Sequence, residues 1–288
     1  MPTSPMASRI TTMDALLDRY SVFLLDMFGV LLNEAGPLPG AVDLLAFFEA
    51  NRREYLIVSN GCRHLPEVYA QEYRKKGLSI PPERILSSSM MIREWVQNRG
   101  LEGAPTWVIG AESCKEVARQ SGLTVLDPST KGLQVVILAD QSGVHTLADL
   151  EDVLTGLCAA IDRDEVPYLL LPNPDIIYPA GAGAFMFTAG ALAGMLERAL
   201  AVRYPGSQWT FEGLGKPDPG IFLKAKAMIP AATEDYIMLG DQLVTDIKGA
   251  IDVGMDSALL VTGVVDLKGA ASWPYHPTYL LPTLERQA

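Results

Sequence analysis

Four runs in the chain are apolar without alternation and end in turn or polar residues: "VFLLD" from Val22, "YLIVSN" from Tyr55, "YIMLGD" from Tyr236 and "SALLVTG" from Ser257. A strand with one solvated face alternates. A continuous apolar run predicts a strand covered on both faces, as in a parallel sheet with helices above and below. Helical spacing fills the intervals: "AVDLLAFFEANRR" carries Leu44, Leu45 and Phe48, and "PEVYAQEYRKKG" stops at Gly77. "RILSSS" and "MMIREWVQNRG" repeat the unit, and "GIFLKAKAMI" and "TDIKGAIDVG" supply later helices. This alternation predicts an α/β fold with a doubly wound, Rossmann-like parallel sheet.

A second set of units starts near Leu101. "TWVIG", "LQVVILAD" and "VPYLLLPNPD" read as strands, with "AESCKEVARQSG", "TLADLEDVLTGLCAAI" and "AFMFTAGALAGMLERAL" as helices, before Pro205 and Gly206 punctuate the chain. The simplest arrangement is a core built from 1–100 and 206–288, interrupted by a second α/β domain at 101–205. A length of 288 residues accommodates two packed domains.

Composition narrows the partners. The net charge of −11 repels phosphate backbones, so no nucleic-acid partner is expected, and an anionic ligand requires a local positive site. The three cysteines, Cys62, Cys114 and Cys158, lack CxxC spacing, which fits a reducing cytoplasm and neither a disulfide framework nor a zinc site. The first twenty residues hold no apolar signal core. The uncharged stretch Ile176 to Leu196 is rich in Ala and Gly with Pro179 inside, and reads as a buried helix packed through Gly190 and Gly194 rather than a membrane span.

Chemistry concentrates where strands end, the position at which doubly wound sheets build their sites. Asp26 closes "VFLLD", Ser59 and Asn60 close "YLIVSN", Lys216 lies in "GLGKPDPG", and Asp241 closes "YIMLGD" with Asp246 following. Any one of these is an ordinary cap or turn residue on its own. Three carboxylates, a lysine and a hydroxyl in this order are hard to explain by capping. The order Asp26-x-x-Gly29-Val30, Ser59-Asn60, Lys216-Pro217, Gly240-Asp241-x-x-x-Thr245-Asp246 resembles the four motifs of the haloacid dehalogenase superfamily. "PLPGA", "WVIGAES", "LLPNPD" and "GALAGMLE" resemble its NagD-like sugar-phosphatase and nitrophenylphosphatase branch, which carries an inserted α/β cap.

The resemblance implies a hydrolase of a small phosphorylated metabolite, a sugar phosphate among the candidates, working through an aspartyl-phosphate on Asp26. It implies Mg²⁺ held by Asp26, Asp241, Asp246 and the backbone carbonyl of Phe28. Lys216, Ser59 and Asn60 would hold the phosphoryl group. Asn173 and Asp175, in the cap loop "NPDIIYP", are candidates to face the leaving group, and Arg63 and His64 to look into the cleft. For Asn173 and Asp175 a structural Asn-Pro-Asp turn is an equal reading; for Arg63 and His64 a solvated helix start is the alternative. Apolar residues exposed on the cap are compatible with a homodimer.

One residue departs from the pattern. The branch shows Asp-x-Asp at the first motif, and the second Asp handles the protons of both steps; Phe28 stands in its place. Four readings follow: a hydrolase with a relocated acid–base, from the cap or His64, or a substrate that leaves without a proton; a weak or inactive phosphometabolite-binding protein; a dehalogenase-like hydrolase, since those enzymes also carry an aromatic residue there; or a structural protein, which Lys216, Asp241 and Asp246 argue against. The first is the expectation carried forward.

Overall fold

The computed structural model describes residues 9–127, 131–165, 167–180, 184–261, 265 and 272–286. A seven-stranded parallel sheet runs Arg9–Ile10, Tyr279–Leu281, Asp256–Leu260, Tyr236–Gly240, Val22–Leu25, Glu54–Ser59, Ile85–Ser87. Every ladder in it is parallel. Val22–Leu25 is an interior strand, fifth of the seven, and its unbroken apolar run has a simple cause. Val22 and Leu24 enter one buried cluster while Phe23 and Leu25 enter the other, on the opposite face. Each such side chain contributes about 1.5–3 kcal/mol when fully buried, so neither face tolerates a polar residue.

The chain leaves this strand for Glu54–Ser59 on one side and returns, much later, to Tyr236–Gly240 on the other. The reversal of winding opens a crevice at the carboxyl ends of these three strands. A second sheet of five parallel strands, ordered Glu212–Gly213, Tyr168–Leu171, Val135–Leu138, Pro105–Ile109, Thr124–Val125, packs beside the core. Its edge strand lies beyond Gly206, in the returning chain. One buried cluster runs without a break from Leu24 and Leu56 through Cys62 and Trp95 to Cys114, Val135 and Leu170. The two sheets therefore share apolar packing, and the cap is seated on the core.

The stretch from Ile176 to Leu196 is not one buried helix. Ile177–Pro179 and Phe185–Phe187 pair as an antiparallel hairpin, and the helix begins only at Ala189, running to Arg203. Phe185, Met186 and Phe187 are exposed. Thr188 precedes the helix in extended backbone, and its hydroxyl donates to the Asp175 carbonyl, which ties the helix start to the cap loop. Close packing occurs at Gly190, where a Cβ would stand 2.3 Å from the Pro174 carbonyl oxygen, and not at Gly194, which has open space. Residues 181–183, in the same stretch, and the end of "SALLVTG" lie outside the described residues. Among the described residues no helix is long and apolar enough to cross a membrane.

Candidate active site

Asp26 leaves strand Val22–Leu25 with its backbone N–H still bonded to the Leu239 carbonyl at 2.9 Å, so the neighbouring strand fixes where its carboxylate points. Asp241 ends that neighbouring strand, and Asp246 follows in a five-residue π-helical turn, Leu243–Ile247. Such wide turns occur often at functional sites. Here the turn brings the Asp246 carboxylate back over the strand end. Its Oδ2 accepts from the backbone N–H of Asp241 and of Gln242, each at 3.1 Å. Oxygen atoms of Asp26, Asp241 and Asp246 lie within 4.8 Å of one another.

Lys216 is the counter-charge. Its Nζ is 2.5 Å from Asp26 Oδ1 and 2.7 Å from Asp246 Oδ1, with the lysine 2% exposed. Burial alone pulls a lysine down, but Asp246, Asp26 and Asp175 reverse that and hold the ammonium above its ordinary value. Burial pushes Asp26 up to about 7, with Lys216 opposing and Asp246 adding to the rise. Burial, then the charges of Asp26 and Asp246, push Asp241 well above the usual carboxylate range.

Asp241 is fully buried, and among the described residues neither of its side-chain oxygens has a hydrogen-bond partner. A buried carboxylate without a donor costs far more than one at the surface. Facing two further carboxylates, it presents the donor set that a hard divalent cation takes, so these residues fit such an ion. Glycine makes the arrangement possible. A Cβ on Gly29, which has φ of +92°, would stand 2.1 Å from Asp241 Oδ2, and one on Gly240 would stand 2.2 Å from Asp246 Cβ.

Ser59 and Asn60 sit at the mouth of the strand on the other side. The Ser59 hydroxyl accepts from the Gly61 N–H at 3.1 Å and also pairs with Tyr73. The Asn60 side-chain amide is committed: it donates to Asp175 Oδ1 and to the Lys216 carbonyl, both at 2.9 Å. Since an amide NH₂ has two hydrogens, both are used. This side chain therefore ties the cap loop to the lysine loop, which leaves the backbone N–H of Asn60 as its donor toward a phosphoryl group.

The cap loop supplies both behaviours weighed for "NPD". Asn173 forms the turn, its Oδ1 accepting from the Asp175 N–H at 3.1 Å. Asp175 turns its carboxylate to the core, and burial raises it to about 6 against the pull of Lys216 and the Asn60 hydrogen bond. Arg63 Nε is 3.1 Å from Asp140 Oδ2, a cap carboxylate at the end of Val135–Leu138, and His64 Nε2 is 3.3 Å from Glu72 Oε1. Both line the cleft, of about 410 Å³, but each has a protein partner already.

Phe28 is half-buried in the same cleft, its ring edge-to-face with Tyr178 of the cap hairpin. Tyr69, Tyr73, Lys76 and Tyr178 also line it, and none of them was singled out from the sequence. The stacked tyrosines are separated by one helical turn in "PEVYAQEYRKKG", a spacing that reads equally as a helix facing the core.

Seven parallel strands, a switch-point crevice and this charged cluster define the candidate active site of a Rossmann-like α/β fold with an inserted cap. Family models agree: the haloacid dehalogenase-like hydrolase model matches residues 23–124, and an HAD-hydrolase-like model matches 213–286. The chain belongs to the haloacid dehalogenase-like hydrolases. It is 25% identical to the dihydroxyacetone phosphatase of Corynebacterium glutamicum over 91% of this chain and 88% of that protein. It is 23% identical to an acid sugar phosphatase of Staphylococcus aureus over 91% of this chain and 95% of that one. The crystal structure of a possible sugar phosphatase from Cytophaga hutchinsonii superposes with a TM-score of 0.85 at 27% identity, covering 98% of this chain and 100% of the other.

Proposed function

We propose that the protein is a divalent-metal-dependent phosphatase of a small phosphorylated metabolite, with Asp26 as nucleophile and Mg²⁺ as the ion. The observation that carries this reading is Asp241, whose two buried oxygens lack partners among the described residues while facing the carboxylates of Asp26 and Asp246. The phosphatase names of the curated relatives support the reaction class.

Asp26, Asp241, Asp246 and the Phe28 carbonyl would hold the ion. When bound, it would neutralise the carboxylates and the phosphoryl oxygens and so permit attack of one anion on another. Lys216 would exchange part of its contact with Asp26 for the phosphoryl group, releasing a carboxylate oxygen to attack phosphorus. Ser59 would donate its hydroxyl, and Asn60 its backbone N–H, to the phosphoryl oxygens. Residues 101–205, completed by the edge strand Glu212–Gly213, would act as a cap over the core of 1–100 and 206–288, admitting the leaving group beneath Asp175 and Tyr178.

The test is a panel of sugar, polyol and aryl phosphates plus a haloacid, each with Mg²⁺ and with chelator. Metal-dependent release of phosphate is the expected result. Metal-independent halide release would replace this reading with the dehalogenase-like one.

A further inference from the structure

Phe28 places no carboxyl group beside the leaving oxygen, and an alkyl leaving group needs a proton there. We propose that Asp175, on the cap, is the catalytic acid–base of this chain, an inference that rests on the phosphatase reading above. Its carboxylate is anchored inside the reaction centre. Asp175 Oδ1 takes one hydrogen of the Asn60 amide and the Lys216 carbonyl takes the other, each at 2.9 Å, while Lys216 Nζ reaches Asp26 at 2.5 Å. One short chain of contacts thus fixes a cap carboxyl relative to the nucleophile.

The backbone of the loop is held as firmly. The Asp175 N–H donates to Asn173 Oδ1 at 3.1 Å, and its carbonyl accepts from the Gly190 N–H at 3.0 Å. A Cβ at Gly190 would stand 2.5 Å from that carbonyl oxygen, so the helix start can approach this closely only through glycine. Three residues on, Tyr178 packs against Phe28. The ring that removes the usual acid thereby supports the strand following its replacement. Asp175 is raised to about 6, chiefly by burial, so both of its protonation states are populated near neutrality. His64, the other candidate, is engaged with Glu72.

The steps balance. An Asp26 oxygen forms a bond to phosphorus as the ester P–O bond breaks, and the electron pair on the leaving oxygen takes the proton of the Asp175 carboxyl group. The Asp175 carboxylate then removes a proton from water as the water oxygen attacks phosphorus. The bond from phosphorus to Asp26 breaks, its electrons return to Asp26, and orthophosphate departs with Asp175 protonated again.

The experiment compares the native chain with Asp175→Asn on glycerol 3-phosphate and on 4-nitrophenyl phosphate, with Mg²⁺. The asparagine oxygen still accepts from Asn60, so the fold is retained, as an unchanged melting temperature will show. Turnover of the alkyl ester should fall by about a hundredfold or more, the usual contribution of a positioned acid–base. Nitrophenolate, which leaves without a proton, should instead appear in a burst of one equivalent, followed by slow turnover as the phosphoenzyme accumulates. An equal loss on both substrates with no burst would overturn the assignment and leave Asp175 a binding residue. If the native chain hydrolyses neither ester nor any member of the wider panel, the phosphatase reading itself fails, and this inference with it.

Discussion

The ring of Phe28 on the core meets the ring of Tyr178 on the cap edge to face, with centroids 6.3 Å apart and planes at 89°. Such pairs contribute about 0.5–1.5 kcal/mol beyond their burial. Lys76 Nζ sits 5.5 Å from the centroid of the same ring. Phe28 thus joins the two domains at a position where a family member with Asp-x-Asp would place a proton donor.

Restoring that donor should matter only where Asp175 is absent. In the Asp175→Asn background, Phe28→Asp should raise alkyl-phosphate turnover by about a hundredfold. In the native background the gain should be no more than a few-fold, because an acid–base is already in place. Steady-state kinetics on the four chains reads this directly, and a large gain in the native background would contradict the account.

The carboxylate cluster sets a pH dependence for the metal-free protein. Asp26, with an ordinary value of 3.8, is raised to about 7 in the fold, chiefly by burial, and Asp241 is also raised. Between those values the folded chain binds more protons than the unfolded one. Stability from this source is therefore present at low pH and is lost as pH rises through about 7. Without metal, the native chain should lose melting temperature between about pH 4 and pH 7 relative to Asp26→Asn, which lacks the group raised from 3.8 to about 7. Mg²⁺ at about a hundred times its dissociation constant should add about 2.7 kcal/mol and flatten this slope. Calorimetry with and without Mg²⁺ measures both effects, and a slope of the opposite sign would count against the cluster as described.

Gly29 is the backbone counterpart of Asp241. An alanine there meets Asp241 Oδ2 at 2.1 Å and must also hold a φ of +92°. The left-handed backbone alone costs an ordinary residue about 1–2 kcal/mol. Gly29→Ala should lower the melting temperature and abolish the Mg²⁺-dependent rise, since Asp241 is pushed out of register with Asp26. A variant that keeps the full metal response would show that this contact does not position the carboxylate.

Much of the core was legible because its strands are buried on both faces. "VFLL" could satisfy two clusters at once only as an interior parallel strand, and the polar residues after such runs fall at the sheet's mouth by topology. The hairpin of Ile177–Pro179 and Phe185–Phe187 was misread, since a short apolar run has the same pattern whether strand or buried helix. Its exposed Phe185 and Phe187 violate the burial on which that reading relied. The contact of Asn60 with Asp175 spans 115 positions and depends on how the cap seats, which no local spacing encodes. The strands Arg9–Ile10 and Tyr279–Leu281 are illegible for a similar reason: two or three residues carry no periodicity, and pairing creates them, Tyr279–Leu281 against Asp256–Leu260 and Arg9–Ile10 against Tyr279–Leu281.

The proposed reaction requires Asp26 to carry the phosphoryl group. Rapid acid quenching of the Asp175→Asn chain during turnover of 4-nitrophenyl phosphate, followed by peptide mass spectrometry, tests it most directly. A phosphoryl group is expected on Asp26, lost in the additional variant Asp26→Asn, which should remain folded and lack turnover. A phosphoryl group on any other residue, or a burst that persists after Asp26→Asn, would contradict it.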